Sequence, residues 1–155
     1  MSELSDRLRT DLVTAMKARE QLTLSTLRMS IAAIMNEQVS GKVARELSEA
    51  EVVTVLNREV AKRRDSAEAY TAGNRPELAA KELAEVEILQ RYLPTALTDE
   101  ELDAIVAEEV SAAAAGLGAA PTMKQMGLVI KAVNSRAAGR AEGAKVAAKV
   151  KAALA

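Results

Sequence analysis

Apolar residues recur every three or four positions along most of the chain, the period of a helix with one buried face. Between interruptions by turn and capping signals, this pattern predicts seven helices and no strand. The apolar positions that mark them are Leu4, Leu8, Leu12 and Ala15; Leu24, Leu27, Ile31, Ile34 and Met35; Val52, Val53, Leu56, Val60, Ala67 and Tyr70; Leu78, Ala79, Leu83, Val86, Leu89, Tyr92 and Leu93; Leu102, Ile105, Val106 and Val110; Met126, Val129, Ile130 and Val133; and Val146, Val150 and Leu154.

Several helix starts carry a capping box, in which a Ser or Thr is followed three residues later by Glu or Gln. The pairs are Ser48 with Glu51, Thr98 with Glu101, and Thr122 with Gln125. The pattern fails over residues 38–47, which indicates a loop. Pro94 cannot continue a helix, so the fourth helix ends there and a domain joint follows. We therefore predict an all-α protein with a four-helix N-terminal domain over residues 1–94 and a small three-helix C-terminal domain over residues 95–155.

The helix over residues 74–94 is predicted to be central to the first domain. Pro76 is tolerated in a first helical turn, Asn74 is a candidate cap, and Pro94 stops the helix. Glu82 and Glu85 fall on the same arc as its apolar residues. A carboxylate in such a place needs a cationic or hydrogen-bonding partner, because burying it alone costs several kcal/mol.

The partners expected for these carboxylates are charged residues on the inner faces of the neighbouring helices. The resulting polar cluster comprises Arg28, Glu59, Arg63, Glu82 and, as a further candidate, Glu85. Paired carboxylates beside arginines can form an acid–base site. We favour a structural ion network that fixes the helix register, since no nucleophile or substrate-binding loop accompanies the cluster.

Composition removes whole classes of chemistry. The chain has no Cys and no His, which excludes thiol nucleophiles, His general bases, Ser-His-Asp triads and the usual zinc sites. No nucleotide-binding loop or metal motif is present, so no cofactor and no catalytic residue is predicted. The N-terminus is charged, without an apolar signal core, and no apolar run is long enough to span a membrane, so we expect a cytoplasmic protein with no membrane partner.

The formal net charge is −1, but charge is unevenly distributed. Residues 99–109 hold six acids and no base, whereas residues 120–155 hold seven bases and one acid, an excess of six. We predict an RNA-binding surface on this basic tail, formed by Lys124, Lys131, Arg136, Arg140, Lys145 and Lys149. The turn over residues 139–143 precedes a helix N-terminus, where free amides and the Arg140 guanidinium can share a phosphate.

Two observations limit this binding hypothesis. Only Tyr70 and Tyr92 are aromatic, so contacts are expected to follow the backbone and shape of the RNA rather than stack on single-stranded bases. The run Lys62–Arg63–Arg64 is a second candidate, but Lys62 and Arg64 are expected to be ordinary solvated residues of a helix surface.

Several ordered motifs resemble the GatB/YqeY family over essentially the whole chain, in particular its stand-alone YqeY-like members. They are A-M-K (15–17), L-R-M (27–29), V-L-N-R-E (55–59), L-A-A-K-E-L (78–83), I-L-Q-R-Y-L-P (88–94), E-E-L (100–102), M-K-Q-M-G (123–127) and G-R-A-E-G (139–143). The resemblance implies a helical domain followed by a three-helix tail, similar to the C-terminal part of the B subunit of the tRNA-dependent amidotransferase. The family's tail pattern maps onto Gly127, Gly139, Arg140 and Ala141, whereas Met123–Lys124–Gln125 stands where stand-alone members often carry an acid.

In that complex the tail contacts the tRNA, while other domains, which are absent here, perform the chemistry. The resemblance therefore implies a non-catalytic module that binds tRNA or structured RNA, alone or with an aminoacyl-tRNA or amidotransferase-related protein. Carbon–nitrogen ligase activity with glutamine as amido-N donor, which the resemblance also suggests, would belong to the amidotransferase complex rather than to this module. The alternatives are an enzyme of amide chemistry that uses the carboxylates of the polar cluster, and a protein–protein interaction module.

Overall fold

The computed structural model describes residues 1–155. It contains seven α-helices, a short 3₁₀-helix over Met123–Gln125 and no strand, which confirms the all-α prediction. The helices are α1 (Glu3–Ala18), α2 (Gln21–Gln38), α3 (Glu49–Ala72), α4 (Pro76–Gln90), α5 (Asp99–Leu117), α6 (Met126–Ala137) and α7 (Gly143–Leu154).

The chain divides into two compact units. The N-terminal unit, Met1–Leu93, contains α1 to α4, and the C-terminal unit, Pro94–Ala155, contains α5 to α7. The assignment of residues 1–94 and 95–155 to separate domains stays a prediction. None of the helices is long and apolar enough to cross a membrane.

The predicted capping boxes at α3 and α5 are confirmed. The Ser48 hydroxyl accepts a hydrogen bond from the Glu51 amide at 3.3 Å, and the Glu51 carboxylate accepts one from the Ser48 amide at 2.8 Å. Arg45 also donates to both carboxylate oxygens of Glu51, and its hydrogen bonds, with those of Ser48, lower the pKa of Glu51 to about 2. The ends of these helices are therefore set by local side chains, as their sequence indicates.

The predicted start of α4 is wrong in one respect. Asn74 adopts a left-handed conformation with φ of 57°, and Arg75 takes the cap position without a side-chain hydrogen bond to the helix. Asn is one of the few residues that tolerate positive φ, so here it reverses the chain between α3 and α4 instead of capping. The helix also ends at Gln90, and the amides of Tyr92 and Leu93 continue it only as a tighter turn to carbonyls three residues back.

The core of the N-terminal unit takes one completely buried leucine from each helix: Leu8, Leu27, Leu56 and Leu89. Each contributes about 1.5–3 kcal/mol by leaving water. Helices α3 and α4 form the most extensive pair, and α2 packs against α1, α3 and α4. The hydrophobic core that positions the polar cluster is therefore built from closely packed aliphatic side chains.

Two residues assigned to inner faces by periodicity are instead half exposed. Leu83 and Met35 are each 50% exposed. Leu83 lies about 60° around α4 from Val86, on the side away from Leu89, so it is at the edge of the buried arc. A period of 3.6 defines the centre of a buried face well but does not define its width.

In the C-terminal unit, valines from all three helices form most of the small core. The fully or almost fully buried residues are Leu102 and Val106 of α5, Val129 and Val133 of α6, and Val146 and Val150 of α7. The segment before α5 is joined to the turn between α6 and α7, because the Leu97 amide donates to the Arg140 carbonyl at 2.8 Å.

Candidate functional site

The polar cluster in the N-terminal unit is centred on Arg63, whose side chain is 4% exposed. Its Nε donates to Glu85 Oε2 at 2.9 Å, while its Nη1 donates to Glu59 Oε2 at 2.9 Å and to the Glu59 carbonyl at 3.0 Å. Lys62 reaches the other Glu59 oxygen from the surface at 3.1 Å. One guanidinium from α3 thus bridges two buried carboxylates, one on its own helix and one on α4.

The electrostatics of this cluster suit a structural role. Burial disfavours the charged form of Glu59, but hydrogen bonds from Arg63 and Lys62 outweigh that effect and hold its pKa below the usual glutamate range. No buried side-chain nitrogen or oxygen in the protein lacks a hydrogen-bond partner. A general acid or base needs a pKa near the working pH, and Glu59 is shifted away from it.

Two predicted members of the cluster lie elsewhere. Arg28 is exposed, because it follows the buried Leu27 by one residue and is thus turned about 100° toward the outside of α2. Glu82 is half buried, and the ion pair predicted for it is made by Glu85 one turn later. The antiparallel run of α3 and α4 places Arg63 opposite Glu85, which sequence periodicity alone does not specify.

The run Lys62–Arg63–Arg64 does not form one cationic patch. Lys62 is exposed, Arg63 is buried and Arg64 is half buried. Adjacent residues on a helix point about 100° apart, so three consecutive bases cannot share a surface. The middle one is a core residue.

Sequence reasoning missed a second polar contact, between α1 and the turn that follows α4. The Tyr92 hydroxyl donates to Asp11 Oδ2 at 2.6 Å, and the Arg7 guanidinium lies 4.7 Å from the centre of the Tyr92 ring. Burial and the Asp11 carboxylate together raise the pKa of Tyr92. Arg7 also donates to the Arg91 carbonyl at 3.3 Å. The four-residue spacing of Arg7 and Asp11 indicates in the sequence that they share one side of α1. Nothing in the sequence indicates that Tyr92 is the residue they contact.

In the C-terminal unit, two lysines assigned to the RNA surface are paired with acids of α5. Lys145 contacts Asp99, and Lys149 contacts Asp103 at 2.6 Å. The pairing lowers the pKa of Asp99 and raises that of Lys149. The acidic run at the start of α5 therefore lies beside α7 and offsets the positive charge predicted for that helix.

Two of the predicted arginines are engaged as well. Arg136 pairs with Glu108 at 2.6 Å and with Glu109 at 3.4 Å, near the middle of α5. Arg140 donates from Nε to the Thr95 carbonyl at 2.7 Å, which holds the segment before α5. Arg140 thus has a structural task in addition to any contact with phosphate.

The remaining two predicted bases, Lys124 and Lys131, are exposed and make no ion pair within the chain. Lys131 follows Leu128 by three residues on α6, which places both on one side of that helix, and Lys124 lies in the 3₁₀-helix that leads directly into α6. Leu128 is 65% exposed, and a Cβ added at Gly127 would meet no atom within 4 Å. We call Lys124, Gly127, Leu128 and Lys131 the α6 outer face. It is an open cationic surface with an apolar centre.

The α6 outer face lies within a stretch that contains no carboxylate side chain. Residues 110–141 include no Asp or Glu but four bases, Lys124, Lys131, Arg136 and Arg140. All the ionisable side chains within residues 110–141 are therefore basic. No group of three acids converges anywhere in the chain to hold a metal ion.

The model of one protein family, described as Yqey-like protein, matches residues 5–154, nearly the entire chain. The chain belongs to the YqeY-like protein family. This confirms the resemblance inferred from the ordered motifs, and it accounts for the helical architecture of both units.

The chain is similar to curated proteins from two yeasts. The chain is 32% identical over 98 residues to altered inheritance of mitochondria protein 41, mitochondrial, of Saccharomyces cerevisiae, covering 62% of this chain and 51% of the relative. The protein of the same name from Lachancea thermotolerans is 31% identical over 102 residues, covering 64% and 54%. The matched region spans about half the length of these relatives.

These relatives overturn the expectation of a cytoplasmic protein. Their names describe mitochondrial proteins in both yeasts. The expectation rested on a charged N-terminus and on the lack of a long apolar run. Those features indicate a protein surface in contact with water. Because many cellular compartments are aqueous, they do not distinguish the cytoplasm from the others.

Proposed function

We propose that this YqeY-like protein is a non-catalytic helical module that binds tRNA or another structured RNA through its C-terminal unit. The observation that carries the proposal is the pair of unpaired lysines, Lys124 and Lys131, on the α6 outer face, within the acid-free stretch of residues 110–141. Phosphate contacts supply most of the affinity for nucleic acid, and they need cations that are not already neutralised. The resemblance to the tail of the amidotransferase B subunit supports RNA as the ligand.

The ion pairs of the C-terminal unit change the expected location of the binding surface. Lys145 and Lys149 would have to leave Asp99 and Asp103 to meet a phosphate, and both acids would then lie close to that phosphate. Exposed ion pairs are worth only about 0–1 kcal/mol, but the uncovered carboxylates would repel the ligand. The α6 outer face carries no such penalty, so we place the primary contact there.

The proposed ligand is structured rather than single-stranded. The C-terminal unit contains no aromatic residue on which an unpaired base could stack. Leu128 and the open space at Gly127 allow close approach of a sugar–phosphate backbone, with the two lysines on either side. Recognition of this kind reads shape and backbone spacing.

The N-terminal unit is proposed to be structural support in this function. Its buried carboxylates are held by Arg63, which favours the register role over the alternative of amide chemistry at Glu59 or Glu85. We further propose that the two units are separate domains. Any carbon–nitrogen ligase chemistry with glutamine as amido donor would then reside in a partner protein.

A salt titration of binding to folded tRNA tests the proposal, using the full chain and two matched double variants. In Lys124→Ala with Lys131→Ala, the unpaired lysines are lost, and we expect binding to weaken by roughly tenfold, with the salt slope shrinking by about one unit per lost contact. In Lys145→Ala with Lys149→Ala, the ion-paired lysines are lost, and the expected change is several-fold smaller.

Three outcomes count against the proposal. If the first variant binds like the wild type at every salt concentration, the α6 outer face is not the site. Equal losses in both variants would place the contact on a wider surface that includes α7. If the wild type fails to bind folded tRNA at about 50 mM salt, where phosphate contacts are strong, the protein–protein interaction alternative replaces RNA binding.

A further inference from the structure

The outer face of α2 is unusually poor in charge for a solvent-exposed helix. Its exposed positions are Gln21, Ser25, Arg28, Met29, Ala32, Met35 and Asn36, continued by Val39 just past the helix end. Arg28 is the only charged residue among them, and there is no acid. On α3, by contrast, five charged residues occupy exposed positions: Glu49, Arg58, Lys62, Asp65 and Glu68.

The apolar residues on this face are large and open to solvent. Met29 is 56% exposed, Met35 is 50% exposed and Val39 is 62% exposed. Several large apolar side chains exposed along one helix face favour a contact with another protein, because exposed apolar area is unfavourable. Methionine is flexible and adapts to irregular apolar surfaces, which suits it to a contact between proteins.

The order of residues on this face is self-complementary. In an antiparallel pair of α2 helices with a twofold axis at Ala32, Met29 of one copy lies opposite Met35 of the other. Arg28 then lies opposite Asn36, whose amide oxygen can accept from the guanidinium. Ala32 meets its own copy at the axis, where a small side chain allows the helices to approach closely. A twofold interface requires this reciprocity.

Charge also selects the antiparallel arrangement. Two copies of Arg28 would be eight residues apart along the pair, or about 12 Å, which is beyond the Debye length of about 8 Å at physiological salt. A parallel pair would place the two guanidiniums side by side. An unrelated acidic helix could form an ion pair only with Arg28 on this face, so charge complementarity would favour it little.

We propose that the outer face of α2 binds a second copy of this chain, as an antiparallel twofold dimer centred on Ala32. One helix pair is a small interface, at the lower end of those that are specific, so the dimer is weak and in exchange with the monomer. The expected dissociation constant is on the order of micromolar. This inference does not depend on RNA binding.

Sedimentation equilibrium of the full chain over about 1–300 µM tests the proposal, since this range brackets the expected constant. We expect the mass to rise toward twice that of the chain. Ala32→Arg, which places two like charges at the axis, is expected to abolish the rise, while Ala80→Arg on the exposed side of α4 leaves it unchanged. Circular dichroism checks that both variants keep their helix content. A monomer at every concentration overturns the proposal, as does equal dimerisation of the wild type and Ala32→Arg.

The chain's lack of cysteine provides a test of the geometry. Ala32→Cys is expected to cross-link to its own copy on mild oxidation, because the two thiols meet at the axis. Ser25→Cys is not, because in the antiparallel pair the two copies of that position are fourteen residues, or about 21 Å, apart. Cross-linking of both variants would indicate a parallel pair, and cross-linking of neither would remove α2 from the interface. Either result refutes the proposed dimer.

Discussion

Removing Arg63 is the sharpest test of the polar cluster in the N-terminal unit. Arg63→Ala leaves the buried carboxylates of Glu59 and Glu85, which are 7% and 6% exposed, without the guanidinium that lies 2.9 Å from each. Removing one partner of a buried ion pair costs about 3–5 kcal/mol, because the other charge remains in a medium of low dielectric constant. Lys62 still reaches Glu59, so most of the expected loss comes from Glu85.

The same helix offers a matched control. Arg58 lies five residues before Arg63 and also makes one ion pair with a neighbouring helix, to Glu37 at 3.2 Å, but its side chain is 62% exposed. Exposed pairs contribute about 0–1 kcal/mol, so Arg58→Ala is expected to have little effect on the free energy of unfolding. The two variants therefore differ mainly in the burial of the charge that is removed.

The aromatic content of the chain simplifies the assay. Tyr70 and Tyr92 are the only tyrosines, both belong to the N-terminal unit, and there is no Trp. Tyrosine fluorescence during urea unfolding of the full chain therefore reports on that unit alone. If Arg63→Ala loses no more stability than Arg58→Ala, the cluster does not contribute as argued.

A third variant distinguishes two causes of instability in Arg63→Ala: buried carboxylates left without a cation, and packing lost with the arginine side chain. Combining Arg63→Met, Glu59→Gln and Glu85→Leu removes all three buried charges and keeps most of the side-chain volume. Replacement of a whole buried ion network by residues of similar size is often neutral or stabilising. We expect this variant to recover most of the stability that Arg63→Ala loses. An equally unstable triple variant would mean that the loss reflects packing around the guanidinium rather than charge.

Two further predictions concern acid and the two units. Because the pKa of Glu59 is lowered in the folded state, its stabilisation is complete above the unfolded value of about 4.3 and is lost as the pH falls through the folded value. The stability difference between wild type and Glu59→Gln should therefore shrink between about pH 6 and pH 3; a constant difference would contradict this. If the units are separate domains, circular dichroism, which reports both, should show a transition in addition to the one seen by tyrosine fluorescence, and coincident transitions would argue for one cooperative unit.

Local signals in the sequence predicted the elements of this fold well. The capping boxes at Ser48 and Thr98 indicate where α3 and α5 begin. In each, the cap hydroxyl and the carboxylate of the glutamate three residues later accept hydrogen bonds from backbone amides at the helix start. The central leucines of each apolar face, such as Leu56 and Leu89, are completely buried. Such features depend on neighbours in the chain, so they are readable without knowledge of how the helices pack.

The features that the sequence did not predict depend on contacts between helices. Glu82 and Glu85 are both on the inner arc of α4, and only the alignment of α3 against α4 selects Glu85 as the partner of Arg63. The contact of Tyr92 with Asp11 joins residues 81 positions apart in the chain. Periodicity gives the direction of a side chain within its own helix, but it says nothing about which residue of another helix lies opposite.

The same distinction decides where an anion can bind. Counted along the chain, residues 120–155 carry an excess of six positive charges, and α7 looks like a basic strip. In the folded C-terminal unit the acids of α5 lie against Lys145, Lys149 and Arg136, and the unit contains seven acids and seven bases in all. A phosphate approaching Lys145 and Lys149 would also meet the carboxylates of Asp99 and Asp103 that are paired with them. Of the four lysines predicted to bind RNA, only Lys124, in the 3₁₀-helix before α6, and Lys131, on α6, are not paired with an acid. The proposed contact is therefore centred on these two residues rather than on the whole tail.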